Sequence, residues 1–232
     1  MSPLEIIAPV FYLVLWLAYE PAMRLRPQSG GEINANMVVI RSAWMRNMSH
    51  RENRFIDSQL MGHVINSASF FASSNLILVA GLAGALIKGQ STYSTLHGLP
   101  WVERTAPLLF ELKLALIVLT MSRSLLDFIW SIRQMNYCLA AIGAAPIAAS
   151  PATAKAYGAA AASILNPALS TFSSGVRGYY FALAAASWLL GPLTLICVTL
   201  AAVTLLTWRQ LNSRASDGVR QVRALIEAGV SD

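Results

Sequence analysis

Four long apolar runs constrain this chain more than any motif in it. They lie near Pro3–Tyr19, Val64–Ile87, Leu108–Ile129 and Tyr179–Trp208. A helix of about 20 apolar residues spans the hydrocarbon of a bilayer. The expectation is therefore an all-α, polytopic membrane protein: a bundle of about four transmembrane helices, plus an amphipathic helix leading into the second span. Residues 1–212 form one membrane-embedded domain on this reading, and 213–232 a polar C-terminal tail. Composition agrees. Charged residues are 12% of the 232-residue chain, about half the share of a soluble domain.

Each run has its own character. The first lacks a basic n-region and a small-residue cleavage site, so it reads as a retained anchor rather than a signal peptide. Trp16 and Tyr19 suit an interfacial belt, and Glu5 must lie at the opposite interface or face the bundle. The second begins polar and ends small. Asn66, Ser69 and Ser73 fall on one helix side, which favours protein or water over lipid. Ala80, Gly81, Ala83 and Gly84 permit close helix approach. The third carries Glu111 and Lys113 near one end, and Arg123 and Asp127, an i,i+4 pair, near the other. Ionisable residues inside a span raise a functional reading, with snorkelling as the plain alternative. The fourth is interrupted by Gly191-Pro192, which predicts a kink or hinge.

Between the runs, Pro27-Gln-Ser-Gly-Gly31 reads as a turn, and Asn34 or Asn36 as a cap for the segment after it. From Met37 onward apolar residues recur at helical spacing, with Arg41, Arg46, Arg51 and Arg54 on the polar side. A further helix is expected around Ala152 to Leu165. With four spans both termini share one side. The loops Glu20–His63 and Ser131–Gly178 hold nine Lys/Arg, the other side six. That favours termini outside only weakly, and the basic tail Arg209–Arg223 argues the other way. No internal repeat is visible.

The net charge is +6, from fourteen Arg and three Lys against eleven acids. Because the arginines flank apolar runs, phospholipid headgroups explain them better than nucleic acid. No phosphate-binding loop, dinucleotide fingerprint, HExxH or GxSxG motif occurs. His50, Glu52, Asp57 and His63 lack the spacing of a zinc or di-iron site, and no second haem ligand accompanies His63. Met37, Met45, Met48 and Met61 are soft enough for copper, but their spacing suits apolar packing. Cys138 and Cys197 read as small buried hydrophobes. No catalytic set, metal or cofactor is expected, and an enzyme is disfavoured.

Several strings resemble the bacterial branch of the domain-of-unknown-function 599 family. They are Arg51-Glu-Asn-Arg-Phe-Ile-Asp57, Ser67-Ala-Ser-Phe-Phe-Ala-Ser-Ser74 with Leu78-Val-Ala-Gly-Leu82, Asp127-Phe-Ile-Trp-Ser-Ile-Arg-Gln-Met-Asn-Tyr-Cys138 with Ile142-Gly-Ala-Ala-Pro146, and Gly175-Val-Arg-Gly-Tyr-Tyr-Phe-Ala182. The resemblance runs from about the first span to Trp208. It implies a membrane-embedded protein of about four spans in the bacterial inner membrane, and it implies no activity. It directs attention to polar residues at span entrances: Arg51, Asn53, Arg54, Asp57, Arg133, Asn136, Arg177 and Tyr179. Arg54 and Asp57 form an i,i+3 pair on this reading, and Arg133 and Arg177 meet Asp57 or Asp127. Together with Asn66, Ser69, Ser73, Arg123 and Asp127 they make a candidate polar network or pathway. Two functions are expected on these grounds: a small homo-oligomeric channel or transporter in the lipid bilayer, or a non-catalytic accessory or assembly subunit.

Overall fold

The computed structural model describes residues 3–24, 33–100, 102–103, 105–147 and 150–229. Regular structure among them is helical throughout: α1 (Pro3–Arg24), α2 (Ile33–Ser49), α3 (Phe55–Ile87), α4 (Gln90–His97), α5 (Pro107–Ala144), α6 (Pro151–Ala186), α7 (Pro192–Asn212) and α8 (Arg214–Ala228), with a 3-10 turn at Ser187–Leu190. The expected turn at 27–31 lies outside the described residues. Proline opens α1, α5, α6 and α7, where its fixed φ suits a first helical turn and its missing N–H costs nothing. Ser150 and Ser213 cap α6 and α8 by accepting from Thr153 N and Ser216 N. Asn34 and Asn36 lie inside α2 rather than capping it.

Three stretches are long and apolar enough to cross a membrane: Pro3–Met23, Phe55–Ile87 and Pro192–Ala228, the last comprising α7 and α8. α5, which holds the third expected span, is not among them. Both α3 and α5 outrun any single span. Their 33 and 38 residues correspond to about 50 and 57 Å at 1.5 Å per residue. The helix expected around Ala152 to Leu165 is the first half of α6, which runs unbroken to Ala186. The amphipathic pattern from Met37 to Leu60 is two helices, α2 and the start of α3, separated at 50–54. The polar tail is helical too, as α8.

The described residues gather into two compact units, one from 3–24, 72–126 and 174–206, the other from 33–71, 127–173 and 207–229. The first sets buried polar groups within an apolar core and is apolar outside as well. Glu5, Asn75, Lys113, Thr120, Ser124 and Thr199 are buried, while Leu17, Ile77, Ile87, Leu108, Leu183 and Leu193 are exposed. In the most apolar 18 residues of α3 only 6% are buried. A water-soluble surface rarely carries so much continuous apolar area, whereas lipid accepts it.

Gly191 changes the reading of the fourth run. Its φ is +131°, outside any helical geometry and favourable to glycine alone. The run is therefore not one kinked helix: it is the end of α6, a 3-10 turn, and a new helix, α7. Leu195 and Leu206 of α7 lie in the same core cluster as Ala8, Tyr12, Tyr19, Met23, Phe181 and Trp188. Had α7 continued the direction of α6 past Trp188, it would have left that core. The chain turns back at Gly191.

The second unit has a core rich in methionine. Met45, Met48, Met61 and Met135 are fully buried with Cys138, Ile142 and Leu165. These are the soft side chains of the sequence, and they fill apolar space. Burial pushes the Cys138 thiol up to about 11, as for an inert core cysteine. Cys197 differs from the expectation: it is exposed on α7. Gly158 lets α6 touch α2, since a Cβ there would sit 2.7 Å from Arg46 Cα and 2.8 Å from the Met45 carbonyl oxygen. The α8 helix is tied to α2 by Arg223 Nη1, which donates to Asn36 Oδ1 at 3.0 Å.

Candidate functional site

The most structured polar site of the second unit lies where α2 gives way to α3. Asn53 Oδ1 accepts the Phe55 amide at 3.0 Å and starts α3. This fixes Asp57 in the first turn, fully buried. Trp44 Nε1 and Arg51 Nη1 both donate to Asp57 Oδ1, at 2.7 and 2.5 Å. Asp57 Oδ2 is buried and has no hydrogen-bond partner among the described residues. Beside this triad a cavity of about 560 Å³ is lined by Trp44, Arg51, Asn53, Ile56, Leu60, His63 and Val64.

Arg54 does not pair with Asp57. Its Nη1 and Nη2 donate to the Ala145 and Pro146 carbonyls at 2.7 and 2.9 Å, just past the end of α5. A guanidinium there satisfies carbonyls that a helix end leaves open and complements its negative dipole end. Arg54 is thus a clamp on α5, and Arg51 is the partner of Asp57. Arg133 meets neither expected acid: its Nε donates to Tyr137 Oη at 2.6 Å on an exposed face. Asn136 is exposed nearby on α5. Arg41, expected on a polar face, is largely buried; burial pushes its guanidinium down to about 10, and its Nε has no partner among the described residues. It stays charged at neutral pH.

The first unit carries three polar layers, all reached from one face of α1. In the first, Lys113 Nζ lies 2.8 Å from Glu103 Oε2 and 3.7 Å from Glu5 Oε1. Trp188 Nε1 donates to Glu5 Oε2 at 3.0 Å, and the ammonium sits 5.7 Å from the Trp188 ring. Glu5 therefore faces the bundle. In the second, the Tyr12 hydroxyl lies 2.8 Å from Thr120 Oγ1 and donates to the Phe181 carbonyl at 3.1 Å. In the third, Glu20 Oε2 accepts from Ser174 Oγ at 3.0 Å and lies 3.6 Å from Arg177 Nη2. Arg177 thus meets Glu20, not Asp57 or Asp127. The order of these layers makes α1 parallel to α5 and antiparallel to α6. Apolar burial gives helices little reason to associate in lipid, so such layers supply register and cohesion.

The remaining expected residues sit on outward faces. Asn66 and Ser73 are exposed on α3 and Ser69 is half-buried; Arg123 is exposed and Asp127 half-buried on α5. The polar row of α3 faces outward. It begins an outward stripe of Asn66, Phe70, Ser73, Ile77, Ala80, Gly84 and Ile87, alternately three and four residues apart. Glu5, Tyr12, Glu20, Glu103 and Trp188 are not singled out as a set by the sequence. The signal that could find them is the seven-residue spacing of Glu5, Tyr12 and Tyr19, which puts polar groups on one helix face.

A family model described as "Protein of unknown function, DUF599" matches residues 7–215. The chain belongs to this family, as its strings at 51–57, 67–82, 127–146 and 175–182 implied. Neither a curated protein nor a solved structure matches it.

Proposed function

We propose that this member of the family is a polytopic protein of the bacterial inner membrane that crosses the bilayer five times, through α1, α3, α5, α6 and α7. The reversal at Gly191 supports five crossings rather than four, because it adds a helix and moves the C-terminus to the side of the two long loops. Charge supports the same count. The loop Glu20–His63 holds six Lys/Arg, Ser131–Gly178 three and the tail after Trp208 four, thirteen in all, against two in Lys88–Pro107. A bias of nine against six becomes thirteen against two, with the long loops and C-terminus cytoplasmic.

Within that frame the chain works as a homo-oligomer, a small channel or transporter whose path runs along a shared axis. The observation that carries this is the outward polar row Asn66, Ser69, Ser73 on α3. In the first unit Tyr12, Phe110, Lys113, Phe181 and Trp188 are at most 3% exposed, so this reading places the path between protomers rather than through that core. Polar groups facing lipid gain by meeting each other across an interface, and Ala80 and Gly84 on the same stripe let backbones approach.

The test is disulfide cross-linking of Ser73→Cys in a Cys197→Ser background, paired with potassium, chloride and proton flux in liposomes. Cross-linked oligomers with flux above empty vesicles, reduced by Asn66→Leu, are expected. Cross-linking without flux would move the reading to an accessory subunit. Absence of both would overturn it.

A further inference from the structure

We propose that the cavity beside Trp44 and Arg51 binds one anionic phospholipid, taking the headgroup phosphate against Arg51 and Asn53 and an acyl chain against Ile56, Leu60 and Val64. The headgroup end of the cavity presents donors from Arg51 and Asn53. Of the five guanidinium N–H groups of Arg51, one donates to Asp57, and with the side chain 46% exposed the others are open to a ligand. Asn53 uses its oxygen on the Phe55 amide, which leaves its NH₂ group to the cavity. An exposed guanidinium edge beside an amide NH₂ suits an anion with several oxygens, since such an edge fits phosphate in two bonds. The Asp57 carboxylate holds Arg51 from behind, so the fork is positioned before any ligand arrives.

The rest of the wall excludes a bare inorganic anion as the natural occupant. At about 560 Å³ the cavity has the capacity of sites for drug-sized molecules, roughly 300–1,000 Å³. Ile56, Leu60 and Val64 are four residues apart, so they form one straight row on α3. Ile56 is 67% and Leu60 48% exposed. That row leads along the helix axis into the apolar run that begins at Val64. A ligand with a phosphate at one end and a hydrocarbon chain at the other matches both halves. Trp44 closes the side, as an aromatic at a membrane interface does.

The full chain, purified in neutral detergent, would be titrated with dihexanoyl phosphatidylglycerol, dihexanoyl phosphatidylcholine and inorganic phosphate, read by thermal shift and native mass spectrometry. One phosphatidylglycerol per protomer is expected, bound at least about tenfold tighter than phosphatidylcholine, a difference of about 1.4 kcal/mol. Leu60→Trp, which fills the cavity from an exposed position, and Arg51→Gln should each weaken it about tenfold or more. Arg51→Gln keeps a donor for Asp57, and helix content by circular dichroism checks the fold of both variants. Equal binding of phosphatidylcholine would refute the anion site. Phosphate alone binding as well as phosphatidylglycerol would refute the lipid occupant. Unchanged binding in Leu60→Trp would place the lipid elsewhere and overturn the assignment.

Discussion

Replacing Lys113 by methionine should destabilise the first unit by about 3–5 kcal/mol, the loss expected when one partner of a buried ion pair is removed. Methionine keeps most of the stem and volume, so the change removes charge more than shape. Lys113 is 1% exposed and Glu5 7%. At their separation of 3.7 Å the gross attraction is about 4.5 kcal/mol for an effective dielectric of about 20. Without Lys113, Glu5 keeps, among the described residues, only the Trp188 indole as a bonded partner, which cannot neutralise a carboxylate. Glu103 is closer to Lys113, at 2.8 Å, yet it is 35% exposed. Water screens it, so Glu103→Gln should cost about 1 kcal/mol or less. The double change Lys113→Met with Glu5→Gln removes the stranded charge and should recover part of the loss. Reversible unfolding in mixed micelles of rising dodecyl sulfate fraction measures all four proteins, wild type included. If Lys113→Met costs no more than Glu103→Gln, or if the double variant is no more stable than Lys113→Met alone, Lys113 is not what makes buried Glu5 tolerable.

Two other changes test how tightly the second unit is built. Gly158→Ala places a methyl 2.7 Å from Arg46 Cα, roughly 1 Å inside normal carbon contact. Backbone cannot rotate aside, so α2 and α6 must separate, at about 1–3 kcal/mol. Gly143→Ala, with nothing within 4 Å, should instead be neutral or gain up to about 1 kcal/mol of helix propensity; the same unfolding assay compares the two. In a Cys197→Ser background, maleimide at pH 8 should leave Cys138 unmodified in the folded chain and modify it once dodecyl sulfate unfolds it. Cys138 is buried and its thiol is pushed up to about 11, so almost none is thiolate at that pH; equal labelling of folded and unfolded chain would show that the second unit opens freely.

The legible part of the sequence lies in features carried by many residues at once. Apolar runs tens of residues long announce helices that suit lipid, whatever their neighbours do. The buried stripe of α1 is partly visible, because Glu5 cannot face hydrocarbon. Features set by one residue's backbone or by a single boundary are not visible. Arg54 and Asp57 are three apart, and that spacing implies a pair only if both are helical. Because α3 starts at Phe55, Arg54 lies before the helix, its side chain turns to the carbonyls of Ala145 and Pro146, and Arg51, six residues from Asp57, takes the carboxylate. Nothing in local spacing announces that exchange.

The same limit applies at Gly191, with a larger consequence. A Gly-Pro step inside a run of Leu, Ala and Thr has the same letters whether the helix bends or reverses. The decision is tertiary. The Glu103 amide donates to the Leu189 carbonyl at 3.0 Å, and Leu195 and Leu206 fill the core beside α1. Yet one sequence feature does conflict with a single fourth span: the basic tail at Arg209–Arg223 lies on the side that four crossings make the less basic one. Taken as noise, it weakens the orientation. Taken as a cytoplasmic segment, it requires one more crossing, which the proposed five-crossing topology supplies at the left-handed backbone of Gly191. An isolated contradiction in charge balance is thus the trace, at sequence level, of a turn that hydropathy alone does not resolve.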